Sequence, residues 1–116
     1  MKLQSKPFGQ IKSGTKNIEI RLCDEKRQKI QVGDIIVFSC MDNELDTLQT
    51  KVTDLVQFDT FKELFSVYEP ISYGFNDVDE YESMYQYYSE AEEQKYGVLA
   101  IHLQFMQPAR VECVGR

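Results

Sequence analysis

The fold of this chain depends most on residues 14–34, which read GTKNIEIRLCDEKRQKIQVGD. Apolar and polar residues alternate over residues 17–22, which is the period of a strand buried on one face. The apolar face would carry Ile18, Ile20 and Leu22, and the opposite face Asn17, Glu19 and Arg21. Lys16 precedes the strand, so a carboxylate would lie between two basic side chains at its mouth. This arrangement indicates a functional site.

The segment after this strand is rich in positive charge, with Lys26, Arg27 and Lys29 close together. Asp24 is placed to cap a single helical turn over residues 24–28. We expect Lys26 and Arg27 to project outward from that turn. Arg27 has a structural alternative, in which it pairs with a carboxylate beneath the turn.

Two segments of the chain resemble the ASCH domain family of the PUA-like superfamily. Residues 11–38 carry the pattern Ile-Lys-Ser-Gly-Thr-Lys-x-Ile-Glu-Ile-Arg-Leu, followed by Asp-Glu-Lys-Arg-x-x-Ile-x-Val-Gly-Asp-x-Ile-x-Phe. Residues 95–101, Lys-Tyr-Gly-Val-Leu-Ala-Ile, are similar to the family's closing strand. The resemblance implies an α+β fold, a small PUA-like mixed β-barrel with about three to four peripheral helices. It also implies a cleft associated with RNA or modified nucleobases, and no cofactor.

The composition is that of one folded domain. A chain of 116 residues can build one core, so we expect a single domain over residues 1–116. Hydrophobic residues make up 42% and aromatic residues 12%, which excludes disorder as the bulk state. No apolar run is long enough to span a bilayer, and the first residues lack a signal core, so we expect no membrane association and a cytoplasmic location.

Cysteine and histidine are too few and too scattered for a metal site. Cys23, Cys40 and Cys113 include no Cys-x-x-Cys pair, and His102 is the only histidine. We therefore expect three reduced thiols and no metal. His102 would lie in the middle of a strand without an orienting partner, so we interpret it as a structural residue.

The net charge of −6 conceals an asymmetry. Residues 1–30 carry eight Lys or Arg against three Asp or Glu, a charge of +5, whereas the remainder carries five against sixteen, a charge of −11. A basic end on an acidic body is compatible with a local anion site. It argues against a broad nucleic-acid surface, which needs many cations along the phosphate backbone.

The first half of the chain carries several further signals. Leu3 could belong to a short strand, after which Ser5 would cap a helix that ends at Gly14. The turn 32–34 leads into the apolar run 35–38, a predicted strand buried on both faces. Alternation over residues 48–53 then predicts a hairpin.

The second half alternates helical and strand patterns. Thr60 and Glu63 have capping-box spacing ahead of an amphipathic helix that ends near residue 70. Similar boxes begin at Asp77 and Ser89, and the first precedes a stripe of Val78, Tyr81, Tyr85 and Tyr88 that we expect to pack on the barrel. A last strand follows Gly97 over residues 99–105 and ends at Pro108, and residues 109–116 form either a short added strand or a tail.

Tyr73 and Phe75 lie in a predicted loop, where two aromatic rings could form a stacking platform for a base. Such residues are more often core plugs, and both alternatives stay open on sequence grounds. We include the pair among the candidate ligand-binding residues.

The chain lacks the motifs of the commoner enzymes, such as a phosphate loop, a serine elbow or a paired-histidine metal site. The cluster of Lys16, Glu19 and Arg21 remains. A lysine beside another cation can act as a base or nucleophile, a carboxylate can move a proton or hold an exocyclic amine, and an arginine can bind phosphate in a fork. The same residues could equally form a surface salt-bridge ladder.

One branch of the ASCH family resembles this chain in its Gly-x-Lys-x-Ile-x-Ile-Arg core and hydrolyses the acetyl amide of N4-acetylcytidine with Lys, Thr and Glu. The resemblance assigns the lysine to Lys16, but the threonine position is Glu19 here. A carboxylate supplies no hydroxyl nucleophile. The third residue has no certain counterpart, and Glu69 and Glu82 are its candidates.

Three functional hypotheses follow. The first is a module that binds RNA or a modified nucleotide in a cleft lined by Lys16, Glu19 and Arg21, with Lys12, Lys26 and Arg27 on phosphates. The second is a small amidohydrolase of acetylated cytidine, with Lys16 and Glu19 sharing the proton transfers. The third is a protein-interaction domain that uses the acidic, tyrosine-rich helices.

Overall fold

The computed structural model describes residues 1–106. The strands are β1 (Lys2–Leu3), β2 (Ile18–Leu22), β3 (Ile35–Cys40), β4 (Thr47–Phe58) and β5 (Val98–Met106). The α-helices are α1 (Ser5–Ser13), α2 (Phe61–Val67) and α3 (Glu90–Tyr96). Short 3-10 helices cover Arg27–Lys29, Pro70–Tyr73 and Val78–Gln86.

All five strands form one sheet in the order β1-β3-β4-β5-β2. β1 is parallel to β3 and the other pairs are antiparallel, so the sheet is mixed. A register shift between Val52 and Asp54 interrupts the pairing of the long strand β4 with β5. Such bulges bend a strand, and the sheet curls into a half-barrel with β1 and β2 as its two edges. This confirms the predicted α+β class.

The sheet has an apolar cluster on each face. On the face toward α1, Phe8 and Ile11 pack with side chains of β3, β4 and β5 such as Phe38 and Val52. On the face toward α2, Ile18 and its strand neighbours pack against α2 and the 3-10 helices around it. β5 supplies both clusters because its successive side chains point to opposite faces. We call the two sides the α1 face and the α2 face.

Most local signals in the sequence are confirmed. Gly14 ends α1 with a left-handed φ of 89°, and the Thr60 hydroxyl accepts a hydrogen bond from the Glu63 amide at the start of α2. Capping boxes at Asp77 and Ser89 are both present. The predicted hairpin of β3 and β4 and the strand after Gly97 also form.

Three local predictions were wrong in part, and one strand is longer than its sequence pattern. Ser5 lies inside α1, which begins after Gln4 without a side-chain cap. β3 is buried on one face only, because no element of residues 1–106 covers the outward side of Ile35 and Val37, which are 48% and 45% exposed. β4 continues to Phe58, well beyond the predicted alternation, because β5 pairs with its whole second half. The predicted stripe begins on the 3-10 helix Val78–Gln86, and its rings Tyr81, Tyr85 and Tyr88 pack as expected, whereas Val78 is 43% exposed.

Cys23 and Cys40 are both buried free thiols. Cys113, the strand end predicted at Pro108 and the predicted strand or tail over 109–116 lie outside the described residues. Among the helices of residues 1–106, none is long and apolar enough to cross a membrane.

A buried carboxylate ties together the elements that cover the α2 face. Glu93 of α3 is 5% exposed, and its carboxylate accepts a hydrogen bond of 2.7 Å from the Phe61 amide, the first of α2. The Tyr85 hydroxyl donates to both carboxylate oxygens, at 2.9 and 3.0 Å. Burial raises the pKa of Tyr85 to about 12, and the hydrogen bond to Glu93 adds to that rise. This contact was not predictable from the sequence, because Glu93 has the sequence context of an ordinary exposed helical glutamate.

We expect Glu93→Ala to lower the free energy of unfolding by about 2 kcal/mol or more, because it leaves a buried amide and a partly buried hydroxyl without their acceptor. Urea unfolding followed by circular dichroism measures the change. Glu93→Gln keeps an acceptor and should recover part of the loss. The control Glu90→Ala, an exposed site on the same helix, should change stability by less than about 0.5 kcal/mol. Equal effects at the two positions would contradict the bridging role of Glu93.

Candidate functional site

A cleft of about 580 Å³ opens beside edge strand β2, between it and the β1–α1 segment. Residues from both sheet edges, α1 and the 3-10 helices line it: Lys2, Leu3, Gln4, Lys6, Pro7, Gln10, Lys16, Glu19, Ile20, Arg21, Met41, Tyr73, Gly74, Phe75, Met84, Tyr87 and Tyr88. Its volume falls in the range of small-ligand sites in proteins, about 300–1,000 Å³.

The three residues of the predicted cluster meet on the floor of this cleft. Lys16 Nζ lies 3.0 Å from Glu19 Oε1, and Arg21 Nε lies 2.6 Å from Glu19 Oε2. The side chains of Lys16 and Glu19 are 6% and 7% exposed, and that of Arg21 is 17% exposed. The cluster is therefore a buried ion network, and the alternative of a surface salt-bridge ladder is wrong.

Strand geometry explains why the cluster forms. Glu19 and Arg21 alternate with Ile18, Ile20 and Leu22, so the apolar residues face α2 and the charged residues lie on the α1 face. Arg21 Nη2 also donates to the Lys2 carbonyl oxygen across a distance of 3.3 Å. Since β1 and β2 are the two edges of the sheet, this side chain bridges the open side of the half-barrel.

The Glu19 carboxylate stays ionised in this network. Burial by itself would raise the pKa of Glu19, but the charges of Lys16 and Arg21 outweigh burial and hold the pKa below its ordinary value of 4.5. Each carboxylate oxygen is bound by one cation. Glu19 therefore fixes the positions of the Lys16 and Arg21 side chains, and little of its own carboxylate is exposed to a ligand.

The loop after the 3-10 helix Pro70–Tyr73 fixes the position of Lys16. Lys16 Nζ donates a hydrogen bond to the Tyr73 carbonyl oxygen, the last of that helix, across 3.1 Å. Gly74 then turns with a left-handed φ of 90°, and an added Cβ would lie 2.8 Å from Gln10 Oε1 and 3.3 Å from Lys16 Cδ. Glycine is required both for the backbone conformation and for space beside the lysine.

The floor retains free hydrogen-bond donors. A lysine ammonium has three N–H donors, and two of those of Lys16 are taken by Glu19 and Tyr73. A guanidinium has five, and Arg21 uses Nε toward Glu19 and one N–H of Nη2 toward Lys2. The rest have no hydrogen-bond partner within residues 1–106 and could bind a ligand in the cleft.

The other basic residues of the sequence prediction do not reach the cleft. Lys12 and Lys26 are exposed and do not line it. Arg27 pairs with Asp24 at 3.3 Å, and the Asp24 carboxylate also accepts from the Arg27 amide. The structural alternative for Arg27 is thus confirmed. These three residues lie outside the cleft lining, so their contact with phosphates stays a prediction.

Tyr73 and Phe75 have different positions. Tyr73 is completely buried, and its hydroxyl donates to the Phe65 carbonyl oxygen, so its ring belongs to the core and only its backbone faces Lys16. The prediction that its ring stacks on a base was wrong. Phe75 is half-buried, packs edge-on against Phe65 and lines the cleft.

Two lysines and two tyrosines are among the lining residues that the sequence did not indicate. Lys2 and Lys6 reach the cleft from the β1–α1 segment, and only the overall basic charge of residues 1–30 pointed to them. Tyr87 and Tyr88 reach it from the end of the tyrosine-rich segment. Tyr87 is 62% exposed, whereas the Tyr88 ring stacks on Phe61 with ring centres 5.6 Å apart.

Within residues 1–106, the cleft does not assemble the Lys, Thr and Glu trio of the hydrolase branch. The lining residues include no Ser or Thr among residues 1–106, and the candidates Glu69 and Glu82 are exposed and lie elsewhere. His102 Nε2 hydrogen bonds with the Tyr68 hydroxyl at 2.9 Å, away from the cleft. Among residues 1–106, no group of three or more His, Cys, Asp or Glu side chains is placed to hold a metal ion.

Comparison with known proteins identifies related folds. The model of the ASCH domain family matches residues 1–107. The chain is similar to the crystal structure of hypothetical protein PH0355, with 34% identity, a TM-score of 0.78 and coverage of 91% of this chain and 96% of that chain. It is also similar to the solution NMR structure of protein PF0455 from Pyrococcus furiosus, with 31% identity, a TM-score of 0.71 and coverage of 93% and 96%. No curated protein matches the chain.

We expect Glu19→Gln to lower the free energy of unfolding at pH 7 by about 3–5 kcal/mol, because it leaves two buried cations without their carboxylate. The pKa of Glu19 is lowered by folding, so its contribution is present above pH 4.5 and is lost as the pH falls through the folded-state pKa. Urea unfolding at several pH values should therefore show the gap between wild type and variant shrinking in acid. The exposed control Glu25→Gln should show no such gap, and a gap independent of pH would contradict the network.

We expect Gly74→Ala to lower the free energy of unfolding by about 1–2 kcal/mol, because alanine is strained at this φ and its methyl group meets Gln10 and Lys16. Gly9→Ala is the matched control. Nothing lies within 4 Å of a Cβ there and the site is helical, so the change should stabilise by about 0.5–1 kcal/mol. Thermal unfolding of the two variants measures both changes. An unchanged stability of Gly74→Ala would show that the loop does not hold Lys16 tightly.

Proposed function

Since the chain belongs to the ASCH domain family, we propose that it is a binding module that holds RNA or a modified nucleotide in the cleft beside β2. One observation carries the proposal. Lys2, Lys6, Lys16 and Arg21 line the cleft, and Glu19 is the one acidic lining residue among residues 1–106, although the whole chain has a net charge of −6. Lys2 also pairs with the exposed Glu44 at 3.0 Å, so the excess of positive charge comes from Lys6, Lys16 and Arg21. A local excess of positive charge on an acidic protein attracts an anionic ligand to one place.

The walls of the cleft suit a nucleobase. Tyr87 and Met41 are 62% and 55% exposed, and Phe75 and Tyr88 are half-buried beside them. Proteins that bind single-stranded RNA commonly stack unpaired bases on aromatic side chains. The combination of free N–H donors on the floor and aromatic rings on the walls supports a nucleotide as the ligand.

The extent of the positive patch limits the ligand to a short one. The basic lining residues lie around one cleft, and Lys12 and Lys26 point away from it. Extended contact with a phosphate backbone needs a longer row of cations. We therefore propose recognition of one or a few nucleotides rather than of a duplex.

Hydrolysis of acetylated cytidine is less well supported by this geometry. The Lys16–Glu19 pair lies 3.0 Å apart, but the carboxylate takes the nucleophile's place in the motif, and no Ser or Thr of residues 1–106 lines the cleft. A protein-interaction role loses part of its basis as well. Tyr81, Tyr85 and Tyr88 pack against Phe61 and Phe65 instead of forming an open surface.

The test is a titration of short single-stranded RNA and of nucleotides, followed by fluorescence anisotropy and calorimetry. We expect saturable binding without product, and Lys6→Gln should weaken it about two- to tenfold while lowering the salt dependence by roughly one ion. Lys6 suits this test because it is exposed and forms no ion pair within the described chain. Lys12→Gln, equally exposed but outside the cleft, is the control.

Two outcomes would contradict the proposal. Equal loss of affinity in Lys6→Gln and Lys12→Gln would indicate nonspecific attraction to the basic end of the chain. Release of acetate from N4-acetylcytidine, abolished in Lys16→Met, would favour the hydrolase instead.

A further inference from the structure

We propose that the cleft binds a terminal phosphate group, the phosphomonoester of a nucleoside monophosphate or of an RNA chain end. This inference deepens the proposed function and rests on it. It specifies which chemical group of the ligand reaches the floor formed by Lys16, Glu19 and Arg21.

The carboxylate of Glu19 is not the group that recognises the ligand. Its Oε1 is bound by Lys16 and its Oε2 by Arg21, and the residue is 5% exposed. A ligand amine would have to displace one of two buried cations to reach it. Glu19 therefore positions the cations, and the sequence-based idea that it holds an exocyclic amine does not fit the geometry.

The groups left over on the floor are donors. They are the third N–H of Lys16 and the remaining N–H groups of Arg21. In the wall of the same cleft, the hydroxyl of Tyr88 also forms no hydrogen bond within residues 1–106. Stacking on Phe61 fixes the Tyr88 ring. Burial raises the pKa of Tyr88 although the Arg21 charge opposes that rise, so the hydroxyl remains protonated at neutral pH. A ligand that fits these donors must present several acceptors on one group.

A phosphomonoester meets that requirement. It carries about −1.5 to −2 charges at pH 7 and three acceptor oxygens. The two cations and one carboxylate of the floor leave an excess of one positive charge, and the exposed Lys6 at the cleft adds a second. The guanidinium of Arg21 binds phosphate oxygens in a fork, whereas a neutral nucleoside would leave this charge uncompensated.

The depth of the floor favours a terminal phosphate over an internal one. Lys16 and Glu19 are almost completely buried, so a ligand group must project inward to reach the donors beside them. A phosphodiester within a chain would bring a sugar on each side. A cleft of about 580 Å³ has room for a ligand near the size of one nucleotide. The base of that nucleotide would then lie against Tyr87 and Phe75.

The first experiment compares ligands on the wild-type protein by calorimetry and by 31P NMR. The probes are uridine, uridine 5′-monophosphate, inorganic phosphate, and short oligouridines that carry a 5′-phosphate, a 3′-phosphate or only hydroxyl ends. We expect the monophosphate to bind at least about tenfold tighter than uridine, as a charge-assisted contact of this kind provides. Inorganic phosphate should compete, and a phosphorylated oligouridine should bind tighter than its hydroxyl counterpart if the source is an RNA end. Preference for the free monophosphate over every oligouridine would assign the site to nucleotides.

The second experiment compares variants. Tyr88→Phe removes only a hydroxyl, so we expect it to lower the affinity for uridine monophosphate about five- to tenfold and to leave uridine binding unchanged. Tyr81→Phe is the control, because Tyr81 does not line the cleft and its hydroxyl also forms no hydrogen bond within residues 1–106, so this variant should bind both ligands as the wild type does. Arg21→Gln should abolish the preference for the phosphate, and its thermal unfolding shows whether the fold persists. Should Arg21→Gln not fold, Tyr88→Phe and Lys6→Gln still test the preference.

The outcomes separate this inference from the function on which it rests. If uridine and its monophosphate bind equally well and Tyr88→Phe affects both alike, the phosphate assignment is overturned while nucleotide binding stands. If none of the nucleosides, nucleotides or oligouridines binds, the proposed function fails together with the inference.

Discussion

The Glu19 carboxylate, held between the Lys16 ammonium and the Arg21 guanidinium, is the interaction on which the rest of this structure depends. It lies where the half-barrel is open, and Arg21 also reaches the Lys2 carbonyl on the opposite edge of the sheet. Removing such charges from water costs several kcal/mol per ion unless each finds close partners. Here both carboxylate oxygens and both cations find them. The same ions therefore bridge the sheet edges and form the floor of the cleft.

The core around this network is organised by alternation. On β2 the apolar residues face α2 and the charged ones face α1, and β5 supports both faces with its own alternating side chains. The bulge in β4 bends the sheet so that its edges approach one another. On the α2 face, the buried Glu93 of α3 accepts hydrogen bonds from α2 and from the segment Val78–Gln86, and so links the three elements that cover the sheet. Two buried carboxylates thus hold the two faces.

Local signals in the sequence predicted much of the fold. Gly14, the capping residues Thr60 and Ser89, and the alternation of β2 and β5 all act over a few residues, so their structural effect is contained in the sequence around them. The exposed side of β3 was not predictable in this way. Whether Ile35 and Val37 are covered depends on an element that is distant in the chain, and none covers them within residues 1–106.

The residues of the candidate site also divide into those that local sequence patterns predict and those that depend on distant elements. Lys16, Glu19 and Arg21 are close in sequence, and strand periodicity places the last two on one side. Lys2 and Lys6 join them only because β1 lies across the opening of the half-barrel, and sheet order cannot be deduced from local patterns. Tyr73, in contrast, was predicted in the site for its ring, which does not line the cleft. Its backbone contributes to the site, but its ring is part of the core, a distinction that residue type does not reveal.

The placement of charge on an edge strand also has a consequence for folding fidelity. A slip of β2 by one residue against β5 would turn Glu19 and Arg21 into the apolar cluster and expose Ile18 and Ile20. Both changes are unfavourable, so misaligned pairings are disfavoured. Inward-pointing charges are also one way in which natural sheets prevent a foreign chain from adding a strand at an open edge. The ions that line the cleft thereby protect the protein against aggregation through β2.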